Sequence, residues 1–485
     1  MGALVAVASK TRESTFATAV IMLDALSLKG DGSCGIASSE EVIVKQAVDE
    51  LRRGYISSAA LIGHKTCGFC PNDEAQPVRI GNCTFIFEGR LLPPRTGQNA
   101  GLAAKQASTQ NGALRFIRRF NGSYIFAANV ANGIIIGRDV VGACPLYYGE
   151  DERICAAASE RKALWKIGLT AVSSFPPGTV ALINERGFHF ATAKTLKQPP
   201  VQRVNLRNAA KRLAKILAQS TREQVADTEE VAVAFSGGVD SCIIAHLVSL
   251  WGVTPHLIYV TLQKPRGADP PEEAAQFLGL PLHVAEYSIE EVEKSLPDVL
   301  WLVEEPNPLT ASIALPLFWV AQQAAGLGLH VLMTGQGADE LFGGYARYLG
   351  DCERHGLAYV RGRIYRDVVS SYTMNLERDY KVCAFHKVEP RMPFNSPKVI
   401  ELALSLPVGL NIASPRDKLR KRVLRQVARN LAIPEFVSER PKSAIQYTTG
   451  VSLALKKLAA REKISLHEYV ETIFKRVCCG LREDD

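Results

Sequence analysis

The chain has 485 residues, room for about two or three domains. Its 47% hydrophobic and 22% charged residues are globular proportions, which excludes a disordered or fibrous chain. The 57 Lys and Arg against 49 Asp and Glu leave a net charge of +8, which suits anionic ligands such as nucleotides without implying nucleic acid. A core of ordinary size is available, and neither metal nor disulfide is needed to hold it.

Eleven cysteines are present, but residues 1–10 lack the basic start and cleavage site of a secretion signal. The longest apolar runs, such as residues 18–26, fall short of the roughly 20 residues of a spanning helix. Reduced thiols, a cytoplasmic location and no membrane partner are therefore expected.

Residues 1–195 read as short strands, among them 3–7, 83–87, 124–128, 133–137, 153–157 and 179–183. Gly, Pro and Asn turns separate them, and helical patches are expected at 41–53 and 101–120. This texture predicts an α+β sandwich. The polar stretch 195–205 reads as a linker, and helical periodicity follows at 206–227. The apolar run 231–235 predicts a buried parallel strand, with further strands at 256–262 and 330–334. From Tyr345 onward the chain reads as mostly helical, so the second half predicts an α/β domain with a helical C-terminal part.

The strongest local signal is VAVAFSGGVDSCIIAHLV. Its loop is Ser236, Gly237, Gly238, Val239, Asp240 and Ser241, between a strand and a helix beginning near Cys242. Two glycines let backbone N–H groups close on an anion, and the helix N-terminus adds its positive dipole end. Asp240 alone would repel phosphate, so Mg2+ is its natural partner. The G-x-x-x-x-G-K-[ST] pattern is missing, so this is no Walker A loop. It resembles the PP-loop of ATP pyrophosphatases, which cleave ATP between its α and β phosphates. A ligand-free glycine turn is the competing reading.

Residues 331–348 read VLMTGQGADELFGGYARY, a strand followed by a tight loop and two acids. Together, SGGVDS and TGQGADELFGGY resemble the asparagine synthetases and their relatives. So do EEPNPLTASIALPLFW at 304–319, NLERDY at 375–380, VEPRMPFNSP at 388–397 and SERPKSAIQYTTG at 438–450. In the first half, GRDVVGACPLYYG at 137–149 and FPPGTVALI at 175–183 are similar to class II glutamine amidotransferase domains. The resemblance implies an Ntn-hydrolase-like sandwich over residues 1–198 and a PP-loop ATP pyrophosphatase domain over 199–485.

It also implies roles. Ser236, Gly237, Gly238, Asp240 and Ser241 would bind pyrophosphate, with Val239, Val260 and Thr334 also on the nucleotide side. Asp240 and Asp339 would ligate Mg2+, and Gly335 and Gly337 would shape the pocket beside the α-phosphate. Lys442 would meet ATP and stabilise charge developing during acyl transfer. Arg378 and Asp379 would line the acid-substrate side; a structural ion pair is the competing reading. Gln336 stands where the family usually has Glu. Glutamine can hydrogen-bond but cannot act as a base or pair with an ammonium group, which bears on the choice of acid.

The amidotransferase signature is incomplete. The family start reads like C-G-I-V-G, whereas this chain has Gly2-Ala3-Leu4-Val5-Ala6, with no nucleophile. The oxyanion pair Asn-Gly is here Glu88-Gly89, whose carboxylate would repel an oxyanion. Lys65 replaces the usual Arg only in part. Loss of glutamine hydrolysis is therefore expected.

Cys67-Gly-Phe-Cys70 with Cys83, and Cys34 as a fourth candidate, has zinc-like spacing, but no second C-x-x-C pair exists and ordinary thiols are preferred. Cys144 and Cys155 read as core residues. Residues 416–429 read as one amphipathic helix with a solvated basic face; attraction of ATP into a cleft is the functional alternative.

The expected activity is an ATP- and Mg2+-dependent carbon–nitrogen ligase. Its partners would be a small carboxylic acid, aspartate first, and ammonia or a partner glutaminase, with a homodimer compatible. Three other readings compete. One is a β-lactam-synthetase-like ring closure, which a buried tyrosine beside an acid would favour, Tyr372 and Tyr380 being candidates. The others are a non-catalytic regulatory protein and a tRNA-modifying enzyme; the intact loops and the amidotransferase-like half argue against both.

Overall fold

A computed structural model describes residues 2–28, 32–68, 75–93, 99–262, 270–441 and 445–478. The chain divides into two compact units. The first takes the chain to Thr195, the segment Asn375–Lys387 and the stretch from Lys475; the second takes Leu196–Met374 and Val388–Phe474.

In the first unit, thirteen strands among the described residues form two antiparallel sheets. They are β1 Gly2–Ser9, β2 Cys34–Ala37, β3 Val42–Lys45, β4 Ala60–Thr66, β5 Val78–Ile80, β6 Cys83–Leu92, β7 Asn121–Val130, β8 Gly133–Arg138, β9 Tyr147–Glu150, β10 Ile154–Ala158, β11 Ser173–Ser174, β12 Thr179–Asn184 and β13 Gly187–Thr192. One sheet runs β11-β9-β10-β1-β4-β2-β3 and the other β13-β12-β8-β7-β6-β5. β1 is buried along its whole length because it is central in its sheet and covered on both faces. Its Leu4 and Val5 join Ile36, Ile62, Ile125 and Ile136 in the core. A second cluster packs the other face of β6 and β7 against the helices Asn99–Ala107 and Gln110–Arg119. The expected sandwich is thus observed.

The helix expected at 41–53 is not. Val42, Ile43 and Val44 are β-branched, and they pair as β3 with β2, leaving only the short helix Val48–Leu51. Helix Glu377–Phe385 comes from far along the chain, yet Tyr380 and Ala384 enter the first unit's core.

The second unit is built on a five-stranded parallel sheet: β14 Glu230–Ala234, β15 Thr254–Thr261, β16 Leu282–Glu286, β17 Val331–Met333 and β18 Glu389–Arg391. The order is β16-β15-β14-β17-β18. The chain moves outward from β14 through β15 to β16, then returns to place β17 on the other side of β14. That reversal makes the carboxyl ends of β14 and β17 a topological switch point, where ligands enter open α/β sheets. The apolar core of β14 (Val231, Ala232, Val233) is fully buried, as the unbroken run predicts. No described helix is long and apolar enough to cross a membrane.

Candidate active site

At the end of β14, residues 235–238 turn into helix Val239–Ser249, capped by Gly238 in an extended conformation with no side-chain cap. The loop is organised by its serines. Ser241 Oγ donates to Gly238 O at 3.1 Å and accepts from Ser236 N at 3.3 Å. The first helical amides remain free of a side-chain cap, which suits an anion. Asp240 is in the first turn, and its Oδ1 is buried with no hydrogen-bond partner.

At the end of β17, the chain turns through residues 334–337 into a short helix, Ala338–Leu341. Gly337 sits at φ 98°, where a Cβ would also come within 2.8–3.0 Å of the Asn395 amide. Asn395 Nδ2 in turn donates to Gln336 O at 3.0 Å, fixing the loop. Gln336 Nε2 donates to Glu340 Oε1 at 3.3 Å, and Tyr345 Oη donates to the same oxygen at 2.5 Å. Burial pushes the Glu340 carboxyl up, with Asp339 adding to the effect.

The two loops meet on a residue that the sequence reading left in a solvated helix. Lys421, fully buried, places Nζ 2.6 Å from Asp240 Oδ2 and 2.7 Å from Asp339 Oδ1. The continuous helix expected over 416–429 is corrected to Arg422–Asn430. Asp417 breaks it: Oδ1 accepts from the N–H of Leu419 and Arg420, and Oδ2 from Ala413 N. Arg420 and Lys421 then adopt φ of 52° and 50°, costing about 1–3 kcal/mol each. Arg425, also buried, spends its donors on the carbonyls of Leu419, Arg420 and Ser438, and its guanidinium is pushed down by burial. Of the basic residues here, Arg420, Lys421 and Arg425 turn inward, whereas Arg416, Lys418 and Arg429 stay exposed.

Gly344 makes this arrangement sterically feasible. A Cβ there would lie 1.9 Å from Asp339 Oδ1 and 2.3 Å from Lys421 Cε.

In the first unit, Gly2 opens β1 and is buried. A Cβ on it would stand 2.5 Å from His64 Nε2 and 2.7 Å from Lys65 O, so the imidazole fills that space. His64 Nε2 is 3.3 Å from Glu88 Oε2, and Tyr380 Oη donates to Glu88 Oε1 at 3.1 Å. Burial opposes the charge of Glu88, but nearby positive charge, the His64 contact and the Gly2 N–H hold its carboxyl down at about 2. A buried anion therefore stands beside His64 and Tyr380. Cys144 is buried nearby, its thiol pushed well up by burial. Lys65 is partly buried, donates to Leu26 O at 3.3 Å and is pushed down by burial.

The remaining expected residues fall as follows. Val260 is buried on β15, and Thr334 N–H donates to Arg391 O at 3.0 Å. Arg378 and Asp379 are buried in the first unit, joined to each other at 2.7 Å, with Arg378 also reaching Asn375. The loop residues belong to the second unit. Lys442 and Cys70 lie outside the described residues. Among the described residues no cluster of three or more His, Cys, Asp or Glu could hold a metal. Cys67, Cys83, Cys144 and Cys155 are buried. Lys421 is the site residue that sequence reasoning missed. Its only signal was a lysine four residues after Asp417 in a run whose periodicity also fits an ordinary amphipathic helix.

Comparison with known proteins identifies the family. The family described as asparagine synthase matches residues 212–358 and 352–477, and a glutamine amidotransferase domain matches 99–166. A Methanocaldococcus jannaschii protein assigned as a glutamine-hydrolyzing asparagine synthetase 1 is 28% identical over 412 residues, 74% of this chain and 76% of that one. Asparagine synthetase B of Escherichia coli K12 is 24% identical over 380 residues, 72% of this chain and 65% of that one, so this chain spans just under two thirds of its length. With an amidotransferase-like sandwich ahead of it and a synthase match covering more than half its length, the chain belongs to the asparagine synthase family.

Proposed function

We propose that the chain is an ATP-dependent amide-forming ligase that activates a small carboxylic acid, aspartate first, as an acyl-adenylate. One observation carries this reading: loops from adjacent strand ends bring Asp240 and Asp339 to one buried cation beside a glycine-rich helix start. The acid's carboxylate oxygen would bond to the α-phosphorus, and pyrophosphate would leave with the electrons of the α–β bridge. Ammonia would then attack the acyl carbon, lose a proton and displace AMP.

The donor set fits Mg2+, since Asp240 keeps a buried carboxylate oxygen without a partner and Asp339 faces the same point. Asp240 and Asp339 would hold the ion, which when bound supplies positive charge to the polyphosphate. The chain's own part is to orient. The 236–241 loop presents backbone N–H groups, Gly335 and Gly337 keep the pocket open, and Lys442 would receive charge in acyl transfer.

Nitrogen would come from free ammonia or a partner glutaminase, because Gly2 offers no nucleophile and anionic Glu88 opposes an oxyanion. Pyrophosphate release from ATP, screened over carboxylic acids with ammonium or glutamine, tests the reading. Release is expected with an acid and ammonium, without glutamate formed from glutamine. No release with any acid would refute the ligase, and glutamate release would refute the loss of glutaminase.

A second reading, closure of an amide within one substrate, draws on half-buried Tyr345 paired with buried Glu340 beside Asp339. Pyrophosphate release by an amino acid substrate with no added amine would favour it. Of the two tyrosines named from the sequence, Tyr372 is only half-buried and Tyr380 pairs with Glu88 in the first unit.

A further inference from the structure

We propose that Lys421 is a built-in counter-ion for Asp240 and Asp339, which bars a bare divalent cation from the pair and admits one only together with an anionic nucleotide. The proposal deepens the ligase reading and rests on it. Three features make Lys421 a constructed element rather than a stray side chain. Its ammonium bridges both carboxylates, at 2.6 Å and 2.7 Å, with no exposed surface. Its backbone and that of Arg420 are held at positive φ by Asp417 below and by Arg425, whose Nε donates to Arg420 O at 2.7 Å. Gly344 leaves room for its Cε and for Asp339 Oδ1.

The consequence follows from charge. A divalent ion entering between the carboxylates would meet the ammonium at contact distance, and like charges so placed in a buried site repel strongly. The ammonium can leave only if another anion receives it, because a buried lysine without a partner is costly. The charged groups around it include Asp240, Asp339, beyond Asp339 the carboxyl of Glu340, and on the Asp240 side the guanidinium of Arg425. A polyphosphate arriving with its metal supplies the missing anion. Metal and nucleotide would then bind as a unit, and the acids would stay paired in between.

The test uses Mn2+ as the probe, read by electron paramagnetic resonance on the full chain without nucleotide. Wild type should bind no Mn2+ below about 1 mM, within the range of weak carboxylate sites. Lys421→Met keeps the stem and removes the charge. It should bind one Mn2+ per chain, at least about tenfold more tightly than wild type, and adding Asp240→Asn should abolish that binding. Equal binding by wild type and Lys421→Met, or a folded Lys421→Met that binds none, would overturn the proposal.

Should Lys421→Met fail to fold, wild type alone decides. Mn2+ uptake without nucleotide overturns the proposal. Uptake only after a non-hydrolysable ATP analogue is added supports it. The titration needs no acid or amine, so it can fail in an active ligase and succeed in a chain that releases no pyrophosphate.

Discussion

Glu88 offers a quantitative test of the first unit. Its carboxyl is held at about 2, against an ordinary value of 4.5. Such a depression corresponds to about 3 kcal/mol of stability, taken as a ceiling for a fully buried group. Because the folded value is depressed, the contribution is complete above about pH 4.5 and disappears as pH falls toward 2. By pH 3 about 2 kcal/mol should be gone. The perturbation is Glu88→Gln, which keeps the shape and removes the proton-binding group. Hydrogen exchange of the β1 and β6 amides, followed through urea and corrected for intrinsic rates, measures the stability of this unit. The advantage of wild type over Glu88→Gln should shrink by about 2 kcal/mol between pH 6 and pH 3. A difference that does not change with pH would show that Glu88 is not held ionised by the positive charge beside it, His64 and the Gly2 N–H.

Gly2→Cys should not restore glutamine hydrolysis, since its Cβ would press on His64 and on Lys65 O; glutamate release should stay absent and the melting temperature should fall. Gly344→Ala should cut pyrophosphate release by about a hundredfold through displacement of Asp339 and Lys421, with initial rates as the measure. Arg138→Met removes the partner of Glu377 at 3.0 Å and donors to Ser174, Phe175 O and Gly142 O, so it should cost about 3–5 kcal/mol in urea unfolding.

The phosphate loop was legible because its signal is local. An apolar strand, glycines and a helix start stand in consecutive residues, and β14 and helix Val239–Ser249 occur there. The switch point was less legible, since the order β16-β15-β14-β17-β18 depends on long-range pairing that no short window encodes. The strand β3 was misread because charged flanks around three β-branched residues imitate a helical stripe. Lys421 escaped for a related reason. Hydrophobic periodicity describes which residues could lie on a helix, whereas a side-chain carboxylate, Asp417, ended that helix and turned the lysine inward. The pairing of Tyr380 with Glu88 spans 292 residues, so only the assembled fold reveals it.

Helix Glu377–Phe385 has a consequence for how the protein is made. Glu377 is the buried counter-charge of Arg138, and Tyr380 completes the surroundings of Glu88. A ribosome that has delivered residues 1–195 has therefore released every strand of the sandwich but not its last interior pieces. Those pieces emerge nearly two hundred codons later, after β14 to β17. The amino-terminal unit must wait, incompletely filled, for the carboxyl-terminal one to be synthesised. A gene cut at the apparent boundary would yield a fragment whose buried Arg138 lacks Glu377.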